Sequence, residues 1–118
     1  MIRQRLPNRR QGVTEPLTYR KDEPGEVRFH VTYNWPDGEP IREVFCMAFK
    51  EGTDLRTLLH QACIITSVAL QQGETMAGLA HTLGEDKADR EPGSILGLIV
   101  RAGAVLDEAN GFVRETSQ

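Results

Sequence analysis

The chain has 118 residues, a net charge of −3 and 39% hydrophobic residues, values typical of an ordinary single soluble domain that folds without disulfides or metal staples. No apolar run reaches the roughly 20 residues of a membrane-spanning helix, and the N-terminus lacks the apolar block of a secretory signal. We therefore expect a cytoplasmic protein that does not interact with membranes.

Positive charge is concentrated at the N-terminus. Six basic residues among residues 1–21 are opposed by one acid, Glu15, so the remainder of the chain is strongly acidic. Residues 1–11 are predicted to be a basic flexible arm, followed by one domain over residues 12–111 and a frayed tail over residues 112–118. Arginines can bind phosphates or an acidic partner. The candidate binding residues are therefore Arg3, Arg5, Arg9 and Arg10.

The first half of the domain has strand patterns. Residues 12–19 predict an edge strand or an irregular segment leading into the sheet, because Pro16 cannot donate to a ladder. From Val27 to Trp35 apolar and polar residues alternate, which predicts a strand with one buried face. A turn at residues 36–40 leads to a run over residues 41–49 that is apolar on both faces from Val44 onward, which predicts a more central strand.

Three helices are predicted in the second half. A long helix over residues 53–72 ends at Gly73, and a short one over residues 74–83 is capped by Thr75. A third begins after Ser94 and closes at residues 110–111, and the charged loop over residues 84–92 is interpreted as mobile or used for contact. The predicted core face of the first helix is Leu55, Leu58, Leu59, Ala62, Ile65 and Ala69, with Cys63 and Leu70 slightly off its axis. Those of the other two are Met76, Leu79, Ala80 and Leu83 in the second, and Ile95, Leu98, Ile99, Ala102, Val105 and Leu106 in the third.

The order of strands and then helices predicts an α+β domain. We expect a small antiparallel sheet of two to three strands followed by three helices, with the long helix 53–72 packed on the sheet.

No catalytic set is evident. His30, His60 and His81 are far apart in the sequence and have no carboxylates at ligand spacing, so no metal site is predicted. Cys46 and Cys63 lack the spacing of a zinc or redox motif and are typical of small buried residues. Nothing in the pattern calls for a cofactor, and we predict no catalytic residue.

Five segments carry a resemblance to a known family. They are Arg5 to Thr14, Asp37-Gly-Glu-Pro40 followed by Glu43-Val-Phe45, Lys50-Glu-Gly52, Ser67 to Gly73, and Glu91-Pro-Gly93. In this order they resemble the TSCPD domain, the C-terminal region of adenosylcobalamin-dependent (class II) ribonucleotide reductases. Where that family has its Thr-Ser-Cys-Pro-Asp motif, this chain has residues 93–97, Gly-Ser-Ile-Leu-Gly. The chain has no room for the reductase's catalytic barrel, so the resemblance implies a binding module rather than the reaction.

Three hypotheses follow. The first is a stand-alone, non-catalytic module that self-associates, as a homodimer, or docks on a partner in nucleotide metabolism. The second is a nucleic-acid or nucleotide-binding module that uses the arginine arm, with Tyr19 or Trp35 stacking on bases. The third is a small enzyme with Cys46 or Cys63 as nucleophile, which requires an exposed thiol near a cation or histidine such as His60.

Overall fold

The computed structural model describes residues 11–47, 54–87 and 89–112. Residues 1–10 of the predicted arm, which include all four arginines, and residues 113–118 of the predicted tail lie outside these ranges. Three strands, β1 (Gln11–Tyr19), β2 (Val27–Trp35) and β3 (Glu43–Met47), precede three helices, α1 (Asp54–Gln71), α2 (Met76–Thr82) and α3 (Ile95–Ala109). The predicted α+β class, with a three-stranded antiparallel sheet followed by three helices, is confirmed.

The sheet has the order β1-β2-β3, and both pairs are antiparallel. The alternation predicted for β2 is confirmed, because Phe29, Val31 and Tyr33 are fully buried. The prediction that the third strand would be the more central one was wrong, since β3 lies at the edge of the described sheet. From Val44 onward, β3 is apolar because helix α1 covers its outer side, and not because a second strand of the described sheet lies there.

The predicted turn between β2 and β3 is confirmed. Gly38 has a φ of 77°, a conformation that disfavours a side chain, and Glu39 N–H donates to the Pro36 carbonyl at 3.1 Å.

Helices α2 and α3 begin as the sequence predicts. The hydroxyl of Thr75 accepts from Gly78 N–H at 3.0 Å, and that of Ser94 accepts from Gly97 N–H at 2.9 Å. These bonds satisfy amides that have no partner within the first helical turn. In α2 the prediction was right for Met76 and Ala80, which are buried, and wrong for Leu83, which is 47% exposed at the helix end.

The predicted apolar face of α3 was partly wrong. Val105 is 61% exposed, whereas Gly103 and Asp107 are buried. A Cβ on Gly103 would lie 2.8 Å from Met76 and 3.1 Å from the Tyr33 ring. The helix turns its glycines inward because only a residue without a side chain allows this approach, which a search for apolar residues cannot detect. Within the described ranges, no helix is long and apolar enough to cross a membrane.

Candidate binding surface

Helix α1 packs along β3 and makes hydrogen bonds to its outer edge. Val44 N–H donates to the Ser67 hydroxyl at 2.9 Å, and that hydroxyl donates to the Val44 carbonyl at 3.1 Å. One turn further along the helix, Gln71 Nε2 donates to the Arg42 carbonyl at 3.3 Å. An edge strand presents unpaired backbone groups, and here the helix supplies partners for several of them.

This contact determines which face of α1 is buried. The inner face consists of Leu59, Cys63, Thr66, Ser67, Leu70 and Gln71. The predicted core face was wrong for Leu55, Leu58 and Ile65, which are 43%, 65% and 70% exposed. Thr66 back-bonds to the Ala62 carbonyl at 2.7 Å, whereas Ser67 faces the strand. The helix has more than one apolar side, and hydrogen bonding to β3 decides between them.

The apolar side that is not used for packing inside the domain forms a continuous surface. We call it the α1 stripe and define it as Leu55, Leu58, Ala62, Ile65 and Ala69. Its members follow one another at alternating spacings of three and four residues, which keeps them on one side of a helix and is the spacing found where two helices pack together. Both alanines are half-buried.

The C-terminal end of α1 is firmly held. Arg42 donates from Nη1 to the carbonyls of Leu70 and Glu74, both at 3.1 Å. Gly73, with a φ of 114°, ends the helix as predicted, and Glu74 N–H donates to the Ala69 carbonyl at 3.1 Å. The stripe is therefore presented by a helix whose orientation is fixed on the domain.

The charged loop after α2 is anchored by Arg101 of α3. Its guanidinium donates to the carbonyls of Glu85 at 3.1 Å, Lys87 at 3.1 Å and Arg90 at 2.6 Å, and lies 3.3 Å from the Glu85 carboxylate. The other Glu85 oxygen accepts from Gly93 N–H at 2.7 Å. The loop was expected to be either mobile or used for contact. These hydrogen bonds do not support mobility.

A small cleft between α2 and α3 has a volume of about 120 Å³. Its lining includes Glu85 and Arg101, which bond each other, and Asp86, whose Oδ2 lies 2.7 Å from Nδ1 of His81. Glu85, Asp86 and Arg101 are thus used to hold the loop, and Glu108 is the remaining charged residue of the lining. We therefore assign it no catalytic role.

The three histidines are placed on different elements. His30 lies on β2, His60 on α1 and His81 on α2, and all three are exposed. Over the described part of the chain, no group of three or more histidine, cysteine or acidic residues is arranged to hold a metal ion.

The structure brings Cys46 and Cys63 together, which the sequence did not predict because they lie on a strand and a helix. Both are free, with Cys63 2% exposed and Cys46 half-buried. The hydrogen bond between the thiols, followed by burial, raises the pKa of Cys46. The same bond lowers the pKa of Cys63, against the effect of burial. The hypothesis of a cysteine nucleophile is weakened, because the thiol with the lowered pKa is buried.

The residues suggested for nucleic-acid binding do not form one described surface. Arg3, Arg5, Arg9 and Arg10 lie outside the described residues. Tyr19 pairs with Val27 at one end of the β1 and β2 ladder, and Trp35 pairs with Gln11 at the other end. At about 3.3 Å per residue, the strand between them is too long for both rings to stack on neighbouring bases, so the hypothesis is restricted to one ring or the other.

Comparison with known proteins gives no further identification. No family model, no curated protein and no solved structure matches the chain. The resemblance to the TSCPD domain therefore stays a prediction.

Proposed function

We propose that this protein is a non-catalytic binding module that self-associates through the α1 stripe. The observation that supports this most directly is the exposure of Leu58 and Ile65, at 65% and 70%, on a helix fixed to the domain. The resemblance to the C-terminal region of a ribonucleotide reductase agrees with a binding role, and it suggests nucleotide metabolism as the setting.

The area of the stripe is sufficient for pairing with a second copy. The stripe presents on the order of 350 Å² of apolar surface, within the range of the largest apolar patches on monomers, which are often functional. Two stripes packed together would bury on the order of 700 Å² of apolar area. Because a little more than half of an interface is apolar, this corresponds to a total of about 1,200 Å², the lower limit of standard specific interfaces.

The spacing of the stripe favours a helix as the partner surface. Ala62 lies at its middle, with Leu58 and Ile65 on either side. In an antiparallel pair, Ala62 of each copy faces Ala62 of the other, and Leu58 of each copy faces Ile65 of the other. The small central residue allows a close approach, and the dipoles of antiparallel helices attract each other.

The test is the native mass of the full chain by sedimentation equilibrium, compared with Ile65→Glu. Wild type is expected to be a dimer, and Ile65→Glu a monomer that still unfolds in one cooperative transition, since the side chain is not in the core. The melting temperature of the variant is expected to match that of dissociated wild type, because association stabilises the folded state. Val105→Glu is the matched control, because Val105 is 61% exposed on a different helix. This variant is expected to remain a dimer. A monomeric wild type, or a dimer that persists in Ile65→Glu, contradicts the proposal.

The arginine arm supplies the alternative function, binding of nucleic acid or nucleotides, motivated by its four arginines without an acid. A chain beginning at Gln11 keeps every described residue and removes all four. If the arm binds phosphates, the full chain retains single-stranded DNA at low salt and releases it as salt rises, and the shortened chain does not bind. Equal binding by both chains contradicts this alternative.

A further inference from the structure

The hydrogen bonds between α1 and β3 establish how the helix is aligned with the strand. Gln71 bonds to Arg42, and Ser67 bonds to Val44. A step of four residues back along the helix thus matches a step of two residues forward along the strand. The two steps cover nearly equal distances, about 6 Å along a helix and about 6.6 Å along a strand.

The next step of the same alignment places Cys63 beside Cys46. Cys46 and Val44 are two residues apart in β3, so their side chains lie on the same face of the sheet. Their partners on β2, Val31 and Tyr33, lie on that face as well. The short Ser67 side chain reaches both backbone groups of Val44, which requires the helix and strand backbones to lie close together. A disulfide requires such an approach, with Cα atoms about 4.4–6.8 Å apart.

We propose that Cys46 and Cys63 are a site of reversible oxidation, at which a hydroperoxide converts the two thiols to an intramolecular disulfide. In the first step the Cys46 thiol, the more accessible of the two although its raised pKa makes it the poorer nucleophile, loses its proton and takes the terminal OH of the peroxide ROOH to become a sulfenic acid. The displaced alkoxide takes up that proton and leaves as the alcohol ROH. In the second step Cys63 attacks that sulfur, the S–S bond forms and water is released. The two thiols are oxidised and the peroxide is reduced. One thiol proton leaves in the alcohol and the other leaves in the water.

The disulfide would join α1 covalently to β3 across residues 46–63. A cross-link stabilises a protein mainly by restricting its unfolded chain. For a closed loop of this length we expect the melting temperature of the oxidised protein to rise by about 10 °C. The α1 stripe lies on another side of the helix, so this inference is independent of the proposed function.

The test treats the reduced full chain with a small excess of hydrogen peroxide in native buffer. We expect an intact mass lower by two hydrogen atoms, one cross-linked peptide containing Cys46 and Cys63, a raised melting temperature, and full reversal of all three by dithiothreitol. Two variants that each keep one thiol, Cys46→Ser and Cys63→Ser, serve as controls. Neither is expected to gain thermal stability from peroxide.

Three results would overturn the proposal: two thiols that remain free, sulfurs that gain oxygen without becoming linked, and a link that joins two molecules. If Cys63→Ser fails to fold, Cys46→Ser and the peptide map of the wild type decide the question. The same treatment in concentrated urea gives a further check. Unfolding separates the two thiols, so the cross-linked peptide is expected to form more slowly there than in native buffer.

Discussion

The hydroxyl of Ser67 hydrogen-bonds both backbone polar groups of Val44, accepting from its N–H at 2.9 Å and donating to its carbonyl at 3.1 Å. Val44 is paired with Tyr33 on β2, yet its N–H and carbonyl point away from that strand, as in every second residue of an antiparallel pair. One serine therefore satisfies a strand edge that would otherwise be buried without partners.

We predict that Ser67→Ala destabilises the protein by about 2 kcal/mol, because it leaves a buried donor and acceptor unsatisfied. Chemical denaturation with urea measures the change. Thr66→Val is the control. It also removes a buried hydroxyl, but one that bonds only within its own helix. Its effect should be below about 1 kcal/mol. If the free energy of unfolding falls equally in the two variants, the bonds to Val44 contribute no more to stability than a bond within the helix.

Periodicity was sufficient to predict the fold class, the strands and the helix caps, because these depend on local sequence. It was not sufficient to predict the orientation of α1. Leu58 and Ile65 look like core residues, and Ser67 looks like a residue that bonds within its helix. The side of α1 that carries Ser67 and Gln71 is buried because it hydrogen-bonds to the outer edge of β3. That edge meets the helix only when the chain folds. The exposure of the α1 stripe and the closeness of the two cysteines could not be predicted for the same reason, since both depend on that alignment.

We predict that Gly97→Ala destabilises the protein by about 2 kcal/mol, since the added methyl would overlap the buried side chain of Glu85. Gly78→Ala in α2 is the matched control. Its methyl would meet only the Thr75 hydroxyl at 3.2 Å and the Glu74 carboxylate at 3.3 Å. Alanine is favoured over glycine in helices by up to about 1 kcal/mol, so this variant should be neutral or stabilising. The melting temperature of Gly97→Ala should therefore fall, whereas that of Gly78→Ala should stay the same or rise.

Arg101→Met is expected to release the loop that follows α2. The substitution removes the donors to three carbonyls and leaves the Glu85 carboxylate, 5% exposed, without its cation. Removing one partner of a buried ion pair costs about 3 kcal/mol or more. Amide hydrogen exchange should accelerate most in residues 84–93, and by more than it does in the strands of the sheet. Arg101→Lys, which keeps the charge but not the planar group, should recover only part of the stability. Uniform acceleration over the whole domain would contradict a local role.

Asp107 is predicted to contribute less to the stability of the fold at neutral pH than in mild acid. Burial raises its pKa above the usual 3.8, although Ile41 N–H donates to it at 2.9 Å and Arg42 lies near enough to oppose the shift. A carboxyl with a raised pKa in the folded state stabilises fully below its unfolded pKa, and this contribution is lost as the pH rises through the folded value. Asp107→Asn keeps an oxygen for Ile41 and removes the ionisation.

The quantity to measure is the melting temperature of wild type minus that of Asp107→Asn, followed from neutral pH down to 3.8. The other carboxyls are shared by both proteins, including Glu26, whose lowered pKa acts in the opposite direction, so their effects cancel. We expect the difference to favour the variant at neutral pH and to shift toward wild type as the pH falls. A difference that does not change with pH would mean that Asp107 titrates alike in the folded and unfolded chains.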